Sequence, residues 1–258
     1  MAELPFMAGL RELLRLLGGA ALLTGRVFGR GLSRFEYGEF ARQVVQIGWR
    51  STTIALLTSL FSAMVITVQF ALQLARFGAR GWVGSVVGVT LARELGPVMT
   101  ALMVGGRVGA GITAELGSMA VTEQIDAIRV LGADPVRKLV APRVIASMVV
   151  LPLMTSMSVV LGVIGGAAIA SLDAGQSFMH FFHAAWHATT MSDFLSGLSK
   201  TIFFGYNVAI IACQLGLETR GGTEGVGRAT TKSVVVSSVI TLISDFVLTK
   251  FILTVIEG

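Results

Sequence analysis

Four ionisable residues, Arg93, Glu94, Arg107 and Glu115, lie in the stretch "ARELGPVMTALMVGGRVGAGITAELG", which is otherwise apolar enough to sit in a bilayer. At 100° per residue they share an arc of about 140° on a helical wheel. A charge near the bilayer centre costs about 2.5–3.5 kcal/mol on insertion scales, so the stripe must face protein, water or a partner charge. Gly105 and Gly109 form a GxxxG pair beside it, where small side chains permit close helix approach. Pro97 removes an amide proton and its ring opposes the carbonyl of Arg93, with Gly96 offering no resistance to bending. A freed carbonyl, a guanidinium and a carboxylate at one depth fit two roles: holding a polar lipid headgroup beside apolar walls, or forming a structural Arg–Glu network between subunits.

Other intramembrane polar groups are sparser. Lys200, Asn207 and Gln214 recur every seven residues, and Asp245 lies next to Ser244 and one turn before Thr249. Interhelical hydrogen bonds account for them, and a proton or ion relay is the alternative. His180, His183 and His187 share an arc of about 60° if their segment is helical. With no carboxylate nearby they read as interfacial histidines rather than a metal site. Neither GxxxxGK[ST], GxGxxG, HExxH nor GxSxG occurs, so no motif for ATP hydrolysis or nucleophilic catalysis is present. The single cysteine, Cys213, excludes an intrachain disulfide and Cys/His zinc frameworks.

The elements that position these residues are membrane helices. Of 258 residues, 53% are hydrophobic and 14% charged, and the mean hydropathy is +0.78; soluble domains carry about 25% charged residues. The net charge of +5 is scattered between apolar runs, which argues for membrane topology over nucleic-acid binding. Residues 52–75 contain no charge, and as a helix they reach about 36 Å, enough to cross a core of about 30 Å. Further spans are predicted at 82–117, 142–172, 196–217 and 233–256. The fold class expected is an all-α integral membrane protein with five spans. Leu10, Leu13, Leu14 and Leu17 lie opposite Arg11 and Arg15, the pattern of an N-terminal helix in the interface plane.

Two regions follow: an N-terminal interfacial region, 1–50, and a transmembrane domain, 51–258. Segments 1–50, 118–143 and 218–232 hold 7, 4 and 3 Lys/Arg, against 2, 1 and 1 for 76–92, 173–200 and 250–258. The excess places the N-terminus in the cytoplasm and the C-terminus on the opposite side. Between the second and third spans, 118–141 predicts an elbow: a short amphipathic helix with Val121, Ile125 and Ile128 on one face, a left-handed stop at Gly132, and Asp134-Pro135 opening the next helix. The elbow is either a connector on headgroups or a docking surface for a cytoplasmic partner. Segment 173–195 is expected as an outer loop, and the glycine-rich 218–232 as a cytoplasmic loop making a tight turn or a partner contact.

Two blocks, "ARELGPVMTALMVGGRVGAGITAELGSMAVTEQIDAIRVLGADPVRKLVAPRVIA" and "GGTEGVGRATTKSVVVSSVITLISDFVLT", resemble the MlaE-like permease subunits of MCE-associated ABC transporters. The resemblance extends over roughly 40–256. It implies a homodimeric permease in a bacterial inner membrane, not itself an enzyme. It binds no cofactor in this chain, since ATP and Mg belong to a cytoplasmic ABC ATPase. Periplasmic MCE proteins, and in some systems a STAS-domain protein, complete the assembly, and phospholipid or a related lipid is the cargo. By the same resemblance Arg93, Glu94 and Leu95 would lie on the lipid cavity, with Ile66, Gln69, Phe70, Gln73 and Phe77 as walls. Glu123, Gln124, Asp126 and Arg129 would form the coupling helix received by the ATPase. Gly105, Gly109 and Asp245 remain structural packing residues. An ion-coupled secondary transporter using Asp245 and Lys200, and a lipid-modifying membrane enzyme, are the alternatives.

Overall fold

Without water, a spanning backbone satisfies its polar groups either within a helix or in a closed barrel, and the long uncharged runs of this chain are helical. A computed structural model describes residues 5–31, 36–173 and 175–256; no strand occurs among them. The helices are α1 (Pro5–Arg26), α2 (Tyr37–Arg76), α3 (Val83–Thr90), α4 (Gly96–Val121), α5 (Gln124–Val130), α6 (Ala141–Asp173), α7 (Phe178–Ala188), α8 (Met191–Leu217) and α9 (Gly222–Ile256). Among the described residues five segments are long and apolar enough to cross a membrane: Tyr37–Arg76, Arg80–Val121, Val136–Leu172, Met191–Leu217 and Gly222–Thr254. The chain is a multi-pass, all-α membrane protein.

α4 is the central element and touches α2, α6, α8 and α9. Its Gly105 places an added Cβ 2.9 Å from Val208 Cγ2, and Gly109 one 3.5 Å from Val208 Cγ1, so α8 lies close against this face. The pairing of α2 with α6 rests on small residues. Ser51, Ala55, Ser59, Ala63, Thr67 and Ala71 recur every fourth position and are all buried. On α6 they meet Gly162 and Gly166, whose Cβ positions would lie 3.3 Å from Ala63 Cβ and 2.7 Å from Thr67 Oγ1. Without larger side chains the two backbones approach closely, which is how helices associate in lipid. Ser59 Oγ also donates to Ser158 O across this contact at 2.7 Å.

Several boundaries differ from the sequence reading. Residues 37–50, expected in the N-terminal region, continue the first spanning helix without a break. In α1 the buried positions are Leu16 and Leu23, followed by Val27 in the next turn, while Leu14 and Leu17 stay exposed, available to a bilayer; the side chains of Leu10 and Leu13 lie outside the described residues. The outer segment 173–195, expected as a loop, contains α7, because Gly84 and Gly88 of α3 let Phe181 and Ala185 approach to backbone distance. The fourth span starts at Met191 rather than 196: Thr190 and Asp193 form a capping box that nucleates α8 earlier. Most of 218–232 is likewise helical. Only Glu218–Gly221 turns, with positive φ at Gly221 and Gly222, and α9 then runs on, its first turns bearing a Glu224–Arg228 pair at 2.7 Å.

The elbow is built by caps. α4 ends at Val121, so Val121 is not part of the amphipathic helix expected there. Thr122 Oγ1 donates to Ser118 O at 2.8 Å, and Glu123, at φ 61°, turns the chain into α5. Gly132 adopts φ 75°; its N–H donates to Arg129 O and that of Ala133 to Ile128 O, closing α5. Asp134 Oδ1 then accepts from Val136 N at 2.9 Å, with Pro135 at the first position of the next helix.

Candidate functional site: a buried lysine at a helix break

The break at Pro97 takes a definite form. Because Pro97 offers no N–H to Arg93 O, the turn Leu91–Leu95 widens into a π-helix before α4 begins at Gly96. Arg93 O therefore lacks its usual helical donor. Lys200 on α8 supplies one, its Nζ lying 3.2 Å away. The same ammonium donates to both Glu94 carboxylate oxygens at 2.8 Å, to Thr249 Oγ1 at 2.6 Å and to Asp245 Oδ1 at 3.4 Å. Thr249 accepts from Lys200 and lies 3.2 Å from the Glu94 carboxylate, to which it donates in turn. Lys200 is 2% exposed, so one cation ties the break in the second span to α8 and α9 together.

Arg93 turns the other way. Its Nε donates to Asp193 Oδ1 at 2.5 Å. The capping box holds that carboxylate in place, since its other oxygen accepts from Thr190 N at 2.8 Å. Arg93, Glu94, Asp193, Ser196 and Lys200 thus line one cleft, with Thr249 and the apolar Ile252 and Leu253 from α9. The cleft within one chain has only about 30 Å³ of room, about one water. It is open on one side, where the Arg93 and Glu94 side chains are 37% and 38% exposed.

The four charges on the second span do not pair with one another. Glu115 pairs with Arg143 of α6, Oε1 to Nη2 at 2.8 Å, and Arg107 lines a separate cavity against α2. A wheel drawn through a continuous α-helix cannot anticipate this, because the π turn resets the phase between Glu94 and Arg107. Nor does the chain bring Ile66, Gln69, Phe70, Gln73 or Phe77 to the cleft lining. Phe70 packs with Leu95 in an apolar cluster around Leu91 and Val87 instead. Sequence reasoning passed over Asp193, Ser196 and Arg143. The T-x-x-D pattern at 190–193 was the available signal for the first. Lys200 and Asp245, read from sequence as hydrogen-bonding groups, stand in the network itself. Asn207, seven residues after Lys200, donates to Ser244 Oγ at 3.0 Å.

At the elbow, Glu123, Gln124, Asp126 and Arg129 are all exposed. Arg129 Nη1 is engaged by Asp126 Oδ1 at 2.6 Å. Beside them Val130 and Leu131 are 87% and 84% exposed, an apolar pair that had no place in the sequence reading. On the outer helix, His183 and His187 stack at 6.0 Å, and among the described residues no group of three His, Cys, Asp or Glu is placed to hold a metal ion.

Residues 40–251 match the family described as Permease MlaE. A "probable ABC transporter permease protein" of Synechocystis sp. is 41% identical over 233 residues, covering 90% of this chain and 89% of that one. A protein of the same description from Rickettsia typhi is 39% identical, covering 83% of each chain. The chloroplastic protein trigalactosyldiacylglycerol 1 of Arabidopsis thaliana is 38% identical, covering 89% of this chain and 66% of that one. Together with five spanning helices and a central helix broken at a buried lysine, these matches place the chain in the MlaE permease family, as a membrane permease subunit of the ABC transporter type.

Proposed function

We propose that this permease moves phospholipid or a related lipid between a bacterial inner membrane and the outer layers of the envelope, engaging the lipid at the Arg93–Glu94–Lys200 cleft. The observation that carries the reading is the charge arrangement there. Lys200 is fully enclosed and bound to protein acceptors, whereas Arg93 and Glu94 keep an exposed side beside the apolar Ile252 and Leu253. Polar atoms beside an apolar wall suit a headgroup with its tails. The room in one chain is too small for a headgroup, which favours a paired assembly in which a second copy completes the cavity. The Arabidopsis relative, whose name contains a diacylglycerol lipid, fits this substrate class.

Energy comes from a separate ABC ATPase, because the chain has no nucleotide motif. The ATPase docks on the elbow, where Glu123, Gln124, Asp126 and Arg129 are exposed, as are Val130 and Leu131. ATPase closure moves the elbow as a rigid body and so shifts α4 and α6, which it joins. The N-terminus and elbow lie in the cytoplasm and the C-terminus in the periplasm, following the distribution of Lys and Arg. A periplasmic MCE protein receives or delivers the lipid, and a STAS-domain protein sits on the ATPase side.

The test is lipid transfer from proteoliposomes holding the permease with and without its co-purified ATPase. Transfer that requires ATP and the ATPase, and that fails in Arg93→Ala, is expected. One observation supports a second reading, ion coupling: Asp245 and Lys200 meet at 3.4 Å within the spanning helices. Transfer that persists without the ATPase and collapses with the proton gradient would select that reading.

A further inference from the structure

A second cavity lies between α2 and α4, lined by none of the cleft residues, with a volume of about 470 Å³. That falls within the usual range for small-molecule sites, about 300–1,000 Å³. Arg50 reaches it from α2 and Arg107 from α4, with Gln46 and Ser51 beside them and Ile47, Val108 and Ile112 as apolar wall. Glu115 also lines it, but its carboxylate is held by Arg143 at 2.8 Å. Arg143 is itself 2% exposed, so that pair is neutral and anchored in the protein. Among the described residues neither Arg50 nor Arg107 has a hydrogen-bond or ion-pair partner. Two guanidiniums thus face one cavity with their charge uncompensated.

Depth identifies the occupant. Arg50 is the last charged residue before the uncharged run 52–75, so the cavity sits where hydrocarbon gives way to headgroups, at the end of the bundle that bears α5. Arginine forks match phosphate oxygens bidentately, and an apolar wall beside them suits the glycerol and first acyl carbons of a lipid better than a soluble ion. Gly111 also lines the space, and a Cβ there would meet no atom within 4 Å, so a larger side chain fits at this position.

We infer that the α2–α4 cavity binds the phosphate of an anionic phospholipid through Arg50 and Arg107, as a site separate from the Arg93–Lys200 cleft. It gives the permease a preference for anionic over zwitterionic lipid in the leaflet at its α5 end. The inference does not need the cleft to be the transport site, and its test needs no ATP.

The full chain is incorporated in vesicles of equimolar phosphatidylglycerol and phosphatidylcholine, extracted, and its retained lipid quantified. At about 1 kcal/mol per arginine near a membrane surface, the two together predict a preference for phosphatidylglycerol of roughly 10- to 30-fold. Arg50→Ala with Arg107→Ala abolishes it, and Arg50→Lys with Arg107→Lys retains part. Gly111→Phe fills the cavity without altering either arginine, and it too abolishes the preference; it decides the matter if the alanine variant does not fold. Equal retention of both lipids, full preference in Gly111→Phe, or complete displacement of lipid by inorganic phosphate would overturn the assignment, the last by making the natural occupant a soluble anion.

Discussion

Replacing Lys200 by methionine keeps an unbranched side chain one atom shorter and removes the cation that joins the break in the second span to α8 and α9. Lys200 is 2% exposed and its ammonium contacts Glu94, Asp245, Thr249 and the Arg93 carbonyl. Removing one partner of a buried ion pair costs about 3–5 kcal/mol, because the remaining charge stays uncompensated. Here Glu94 is 38% exposed through the open side of the cleft and recovers some hydration, so about 2–3 kcal/mol is the expected loss. At about 2–4 °C per kcal/mol for a chain of this size, the apparent melting temperature falls by roughly 4–12 °C. The assay is thermal unfolding of the chain in nanodiscs, followed by size-exclusion recovery. Adding Glu94→Gln to Lys200→Met removes the stranded carboxylate and should restore about 1–2 kcal/mol, a coupling that distant sites do not show. No measurable fall in Lys200→Met, or losses in the double variant that simply add, would refute the reasoning that the lysine holds the break together.

Four further predictions concern named residues. Gly197→Ala would place its Cβ 2.1 Å from Ala92 O; it should destabilise the chain by about 1–3 kcal/mol in the same unfolding assay and push α8 off the π turn. Pro97→Ala restores an N–H able to compete for Arg93 O, so it should leave folding intact while reducing ATP-dependent lipid transfer, with wild-type transfer counting against a role for the break. Val130→Asp with Leu131→Asp should leave membrane insertion unchanged and lower co-purification of the ATPase, and Glu123→Ala with Arg129→Ala should uncouple ATP hydrolysis from transfer; retention of both properties would remove the elbow from the coupling path.

The spans were legible because an apolar run long enough to cross a bilayer has few other folds available. Gly132 and Asp134-Pro135 were legible for a related reason: left-handed and capping positions select particular residue types. The freed Arg93 carbonyl followed from Pro97 alone. Its donor did not, because Lys200 lies 107 residues away in sequence, and a heptad spacing on α8 says nothing about which neighbour it meets. Phase errors explain the rest. A π turn between Thr90 and Gly96 shifts every side chain beyond it, so a wheel drawn across it grouped Arg93 and Glu94 with Arg107 and Glu115, which in fact meet different partners. The stripe of small residues on α2 at every fourth position was present in the sequence and encodes the α6 contact as directly as GxxxG does. The α9 start at Gly222 shows why glycine content alone misleads: Gly225 is required for close passage, its Cβ position lying 1.9 Å from Arg220 O, and does not mark a loop.

The most direct measurement places a photo-reactive side chain at Ser196, which lines the cleft, in the permease purified from native membranes with its partners. Irradiation should recover covalently bound phospholipid, in a yield that falls when Arg93 or Glu94 is replaced and changes when ATP is added. Crosslinks only to protein, or lipid recovered in equal yield from an outward position such as Phe246 and unaffected by either replacement, would contradict the claim that the cleft is where lipid is held.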